Sequence, residues 1–220
     1  MHQLQPQPEV TTSLQLHYPS TSNLTDHLDR VQLAPWVNLQ TEAQQVDWLI
    51  LHFNHWFSHL NVTLVKGDFE PEYFPASDQQ PARIQFAHGF FNSALHEISH
   101  WTIAGDHRRT LPDLGYWYAP DGRTAEQQAL FEQVEIKPQA IEWMFSTAFS
   151  RKFRVSLDNL TGEGGDGQSF KDNVYAQVQR YFSGEAQLPR DAQHFIQCIC
   201  KCLRSGKTLH LHEFSRASLD

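Results

Sequence analysis

Two histidines separated by three residues, in His96-Glu97-Ile98-Ser99-His100, are the residues of this chain best suited to chemistry. On a helix, positions four apart lie about 40° apart on the wheel, so both imidazoles point at one spot and can chelate one ion. Glu97 is offset by about 100° from His96, within reach of a water on that ion without being a ligand. The helix is otherwise apolar, with Leu95, Ile98, Trp101 and Ile103, which puts the imidazoles in or beside the core, where they need partners. The competing reading is a pair of core histidines satisfied by hydrogen bonds alone. A mononuclear site needs a further ligand. The first candidate is Glu135, in Val134-Glu135-Ile136-Lys137-Pro138-Gln139, with Glu132 and Glu142 as competitors on nearby turns. Two neutral imidazoles and one carboxylate suit zinc or ferrous iron and leave positions open for water, oxygen or substrate.

The elements that must carry these groups follow from hydrophobic spacing. Val46, Leu49, Ile50, Phe53, Trp56, Phe57 and Leu60 recur at three and four residues and predict a helix from near Thr41. Residues 61–65 and 83–87 read as strands, and Lys66 to Pro81, punctuated by Gly67, Pro71, Pro75 and Pro81, as loop. The histidine helix is predicted from Asn92 or Ser93 as N-cap to Gly105 as C-cap. A long helix follows from Thr124 to about Phe149, kinked at Pro138. A Gly-rich loop spans 158–169, and helices are predicted over 170–183 and 190–204. The expected fold is α+β: a single, mostly helical domain with a small sheet and a zincin-like His-Glu-x-x-His helix. Its expected limits are residues 41–204, with a disordered leader at 1–40, rich in Gln, Pro, Ser and Thr, and a C-terminal tail at 205–220.

The composition, 40% hydrophobic and 19% charged with a net charge of -8, is globular and excludes a broad phosphate-binding surface, so no direct nucleic-acid substrate is expected. No run approaches the roughly 20 apolar residues of a membrane span, and the N-terminus lacks the features of a secretory signal. A cytoplasmic, monomeric protein is the expectation. Cys198, Cys200 and Cys202 are too close together to staple the fold and do not share a helix face, so free thiols are expected. His210-x-His212 is similarly weak as a metal signal.

Several segments together resemble a known family: Lys66-Gly67-Asp68-x-Glu70-Pro71, Phe86-Ala87-His88-Gly89-Phe90, His96 to Trp101, Ile103-Ala104-Gly105, Gly115-Tyr116-Trp117-Tyr118-x-Pro120-Asp121-Gly122-Arg123 and Val134-Glu135-x-Lys137-Pro138-Gln139-Ala140. In order and spacing they are similar to the bacterial elongation factor P hydroxylases over roughly residues 45–200. The resemblance implies an oxygen-dependent, metal-dependent non-haem hydroxylase, a monooxygenase acting on the β-lysylated lysine of elongation factor P. Its ligands, two histidines and a carboxylate, map onto His96, His100 and Glu135, and the implied metal is Fe(II), with Zn as the other candidate.

A redox metal is required because no side chain alone hydroxylates an unactivated C–H bond. Glu97 is then the expected proton carrier. Asp68 and Glu70, with Glu72, form an acidic run suited to the ammonium groups of such a substrate, and Tyr116, Trp117 and Tyr118 a slot for its alkyl chain. His88 is expected to be a turn residue. The rival enzyme reading is a zinc metallopeptidase using the same five residues and a distal glutamate. The non-enzymatic rival is a binding module with a structural metal, which four protein ligands would close.

Overall fold

The computed structural model describes residues 13–14, 35–116, 123–157 and 167–220. Among the described residues five α-helices and three strands succeed one another: α1 (Glu42–Trp56), β1 (Val62–Lys66), β2 (Glu72–Phe74), β3 (Ala82–Phe86), α2 (Phe91–Arg108), α3 (Ala125–Ala148), α4 (Gln168–Ser183) and α5 (Arg190–Leu203). The architecture is α+β, mostly helical with one three-stranded sheet of order β1-β3-β2. β1 runs parallel to β3, Val62 opposite Ala82, and β2 antiparallel to it, Tyr73 opposite Ile84.

Local chemistry accounts for the helix starts. Thr41 caps α1 and Thr124 caps α3, each in a reciprocal box with the glutamine three residues on. α2 departs from expectation. It begins at Phe91 with no side-chain cap, because Ser93 Oγ accepts the amide of Ala87 (3.0 Å) and the amide of Phe91 is taken by Glu42 Oε1 of α1 (3.1 Å). Gly105 breaks the helical path as predicted, at φ 68°, where only glycine is unstrained, and one further turn runs to Arg108. β2 lies in a stretch predicted to be loop. Three residues between Pro71 and Pro75 are too few to print a period, and pairing with β3 creates the strand.

The core is aromatic. Phe53 and Trp56 of α1 and Phe57, which follows it, meet Trp101 of α2 and Phe195 of α5, with Phe57–Trp101 ring centroids 5.0 Å apart and Phe145–Phe195 4.8 Å apart. α3 lies between α2 and α4, its second half buried on nearly every side. At the end of α2 a charged clamp closes the packing. Arg109 reaches the Trp101 carbonyl through Nε (3.1 Å) and an Nη (2.9 Å), stacks on the Trp101 ring at 3.8 Å, and pairs with Asp191 of α5 at 2.6 Å. Residues 205–220 lie on this body, burying Leu209, Phe214 and Leu219. Leu14 is buried too, its amide donating to the carbonyl of Leu209 (3.0 Å). No helix among the described residues is long and apolar enough to cross a membrane.

Candidate metal centre

α2 and α3 bring the chemistry together. His96 and His100 stand one turn apart on α2, and Glu135 projects from the first half of α3. Their donor groups form a triangle, with both oxygens of the Glu135 carboxylate at its third corner. His96 Nε2 and His100 Nε2 are 3.1 Å apart, His100 Nε2 and Glu135 Oε1 3.2 Å, and His96 Nε2 and Glu135 Oε2 3.6 Å. Among the described residues this is the one group of three or more His, Cys, Asp or Glu whose ligand atoms converge, all within 4.8 Å. Donors about 2.1 Å from a first-row ion, at angles of about 90–110°, lie about 3.0–3.4 Å from one another. The Nε2–Nε2 and His100–Glu135 distances fall in that range, and the His96–Glu135 distance, measured to the other carboxylate oxygen, lies just outside it. The residues therefore fit a divalent ion, and they are graded from Glu135 and His100, which are buried, to His96 at the more open edge.

The electrostatics of the cluster favour a cation. Burial pulls the His96 pKa down, but the hydrogen bond to Glu142 and the charges of Glu135, Glu142 and Glu97 overcome it and hold the group at about 10. Burial pushes Glu135 up, yet His100 and His96 outweigh it and bring the carboxyl down to about 2. Glu97 is raised above the usual carboxylate range, mainly by burial, against the lowering influence of both histidines. Three carboxylates thus share a confined space with two imidazoles. Such a cluster stabilises positive charge, carried by protons or by a bound cation.

The other predicted residues divide. Tyr116 is at the site, its ring edge-on to His100 at 5.6 Å and covered by the Arg108 guanidinium at 3.7 Å. Arg108 is itself held by the carbonyls of Leu114 (3.0 Å) and Gly115 (3.2 Å). Trp117 and Tyr118 lie outside the described residues. Asp68 and Glu70 are exposed in the turn between β1 and β2, and among the described residues neither hydrogen-bonds to nor pairs with the cluster. Glu132 accepts from Gln128 Nε2 (3.1 Å) and is not one of the converging donors. His88 occupies a left-handed turn beside Phe90. Cys198 and Cys200 are buried and Cys202 exposed, all three as free thiols, and His210 and His212 stack on one another; none belongs to the converging group.

Two participants were not assigned their places from the sequence. Glu142 lies on the opposite side of the His96 ring from the triangle, its Oε2 2.8 Å from Nδ1. Gln139, one turn after Glu135, hydrogen-bonds it and clamps the main chain of Ser156 from both sides, donating to the carbonyl (2.7 Å) and accepting the amide (3.0 Å). The signal for both was spacing on α3, four and seven residues after Glu135, which returns to the same helix face.

Fold and cluster together define an α+β protein with a two-histidine, one-carboxylate face built between two helices, a donor set suited to a mononuclear metal centre. The model of the family described as elongation factor P hydroxylase matches residues 52–214. A protein of Haemophilus influenzae named elongation factor P lysine hydroxylase is 46% identical over 168 residues, covering 76% of this chain and 93% of the relative. The chain belongs to the elongation factor P hydroxylase family.

Proposed function

We propose that this protein hydroxylates the β-lysylated lysine of elongation factor P, with ferrous iron held by His96, His100 and Glu135. The observation that carries the reading is the donor triangle of 3.1, 3.2 and 3.6 Å in a chain of this family. The name of the Haemophilus influenzae relative, elongation factor P lysine hydroxylase, supports the substrate. When bound, the iron supplies the redox capacity to activate oxygen for insertion into a C–H bond, which side chains lack.

The chain's own residues do the rest. His96, His100 and Glu135 would hold the ion, a donor set that suits ferrous iron. Glu97, beside His96 and kept easy to protonate by its burial, carries a proton to or from the reacting oxygen. Tyr116, held edge-on to His100 beneath Arg108, forms one wall of the approach. Asp68 and Glu70 attract the cationic amines from the loop before β2. The protein acts in the cytoplasm, where its substrate is, and as a monomer.

Anaerobically purified protein loaded with Fe(II) and supplied with a two-electron reductant should add one oxygen atom to β-lysylated elongation factor P when oxygen is admitted, the second oxygen atom leaving as water, read by intact mass. H100A and E135A should each abolish the addition and lose the iron. Full modification by the H100A protein would defeat the assignment. Cleavage of elongation factor P by the zinc-loaded protein would turn the reading to a peptidase.

A further inference from the structure

Glu142 touches the site from behind. It sits on α3 seven residues after Glu135, so the two carboxylates leave the same helix face two turns apart. The ring of His96 is inserted between them, Nε2 toward Glu135 and Nδ1 toward Glu142. Glu142 is buried, and its Oε2 stands 2.8 Å from Nδ1.

A carboxylate oxygen accepts, so the ring donates through Nδ1–H. In a neutral imidazole that leaves the Nε2 lone pair free, and it points at His100 Nε2 and Glu135. The two ring nitrogens face opposite ways, so Glu142 cannot share an ion with the Nε2 triangle, and it stands outside the converging donors.

We infer that Glu142 is a positioning residue that selects the Nε2-ligating tautomer of His96 and holds its ring toward the ion. The inference rests on the metal reading above and adds a residue to it. Without the carboxylate, His96, the most exposed of the three ligands, can turn its ring or place its proton on Nε2, where it blocks ligation. Outer partners of this kind typically contribute about 10–100-fold to metal affinity.

The test uses the full chain and zinc as a diamagnetic probe, without any turnover. E142Q keeps the shape and removes the charge. By competition with a chelator it should bind zinc about 10–100-fold more weakly than wild type. A loss of less than fivefold overturns the inference. Long-range 15N–1H spectra of the wild-type zinc form give a readout that does not depend on the variant folding. The proton of His96 should reside on Nδ1 and the zinc on Nε2, and the reverse pattern overturns the inference. A wild-type protein that binds no zinc defeats the metal reading itself, whereas equal binding by wild type and E142Q defeats only the role of Glu142.

Discussion

Replacing Asp191 by alanine should cost this protein about 3 kcal/mol of stability and loosen the helix that carries the histidines. The Arg109 side chain is 14% exposed and that of Asp191 7%, so solvent screens their 2.6 Å contact little. Breaking a buried pair by removing one partner typically costs about 3–5 kcal/mol, because the remaining charge stays buried without its counterion. Two features place this pair at the lower end. Arg109 keeps its two hydrogen bonds to the Trp101 carbonyl and its stacking on the Trp101 ring. Its side chain is also partly exposed. D191N, which preserves an acceptor oxygen, should cost about half as much. Urea unfolding of the metal-free protein at neutral pH measures both values, and a double-mutant cycle with R109M isolates the pair. Trp101 follows His100 directly, so the loosened carbonyl should also weaken zinc binding severalfold. A D191A midpoint corresponding to less than 1 kcal/mol of destabilisation would refute the argument that burial makes this ion pair a structural clamp.

Other expectations follow from buried titratable groups. His52 stacks on Trp48 at 3.5 Å, and burial lowers its pKa to about 4 despite its hydrogen bond to the Trp48 carbonyl. The unfolded chain therefore binds more protons than the folded one between pH 6.5 and 4, and stability falls as pH drops through that window, by about 1 kcal/mol from this group at pH 5.5. H52F should flatten the slope by that amount in urea titrations at pH 7.5 and 5.5, and an unchanged slope would refute the assignment. Burial pushes the Cys198 thiol up to about 12 and Cys200 up to about 11; it raises Cys202 too, but that side chain is exposed and open to reagent. One thiol should react with iodoacetamide at pH 8 in the native protein and three after unfolding. Two fast native thiols would show that α5 is less tightly packed than described.

The sequence made legible what depends on local spacing. The apolar period of α1, the helix starts near Thr41 and Thr124 and the four-residue step from His96 to His100 are short-range patterns, and each maps onto one element. Glu135 meets the histidines because α3 packs on α2. What stayed hidden depends on contacts between distant residues. β2 exists through β3, the cap of α2 is replaced by Glu42 forty-nine residues earlier, and Leu14 finds Leu209 across almost the whole chain. Glu142 was visible as an acid on the right face. Whether it met the near or the far nitrogen of His96 was a matter of helix crossing, which no pattern within α3 encodes.

The burial of Leu14 and of the first turns of α1 sets a limit on how this protein can be shortened. Val46, Trp48 and Leu49 are at most 5% exposed, as is Leu14, and all four precede the matched family segment 52–214. A chain cut back to that segment would open the floor beneath Phe53 and Trp56 to water. At about 1.5–3 kcal/mol per buried apolar side chain, the loss rivals the whole margin of about 5–15 kcal/mol by which domains stay folded. The stretch that defines kinship is smaller than the body that must fold.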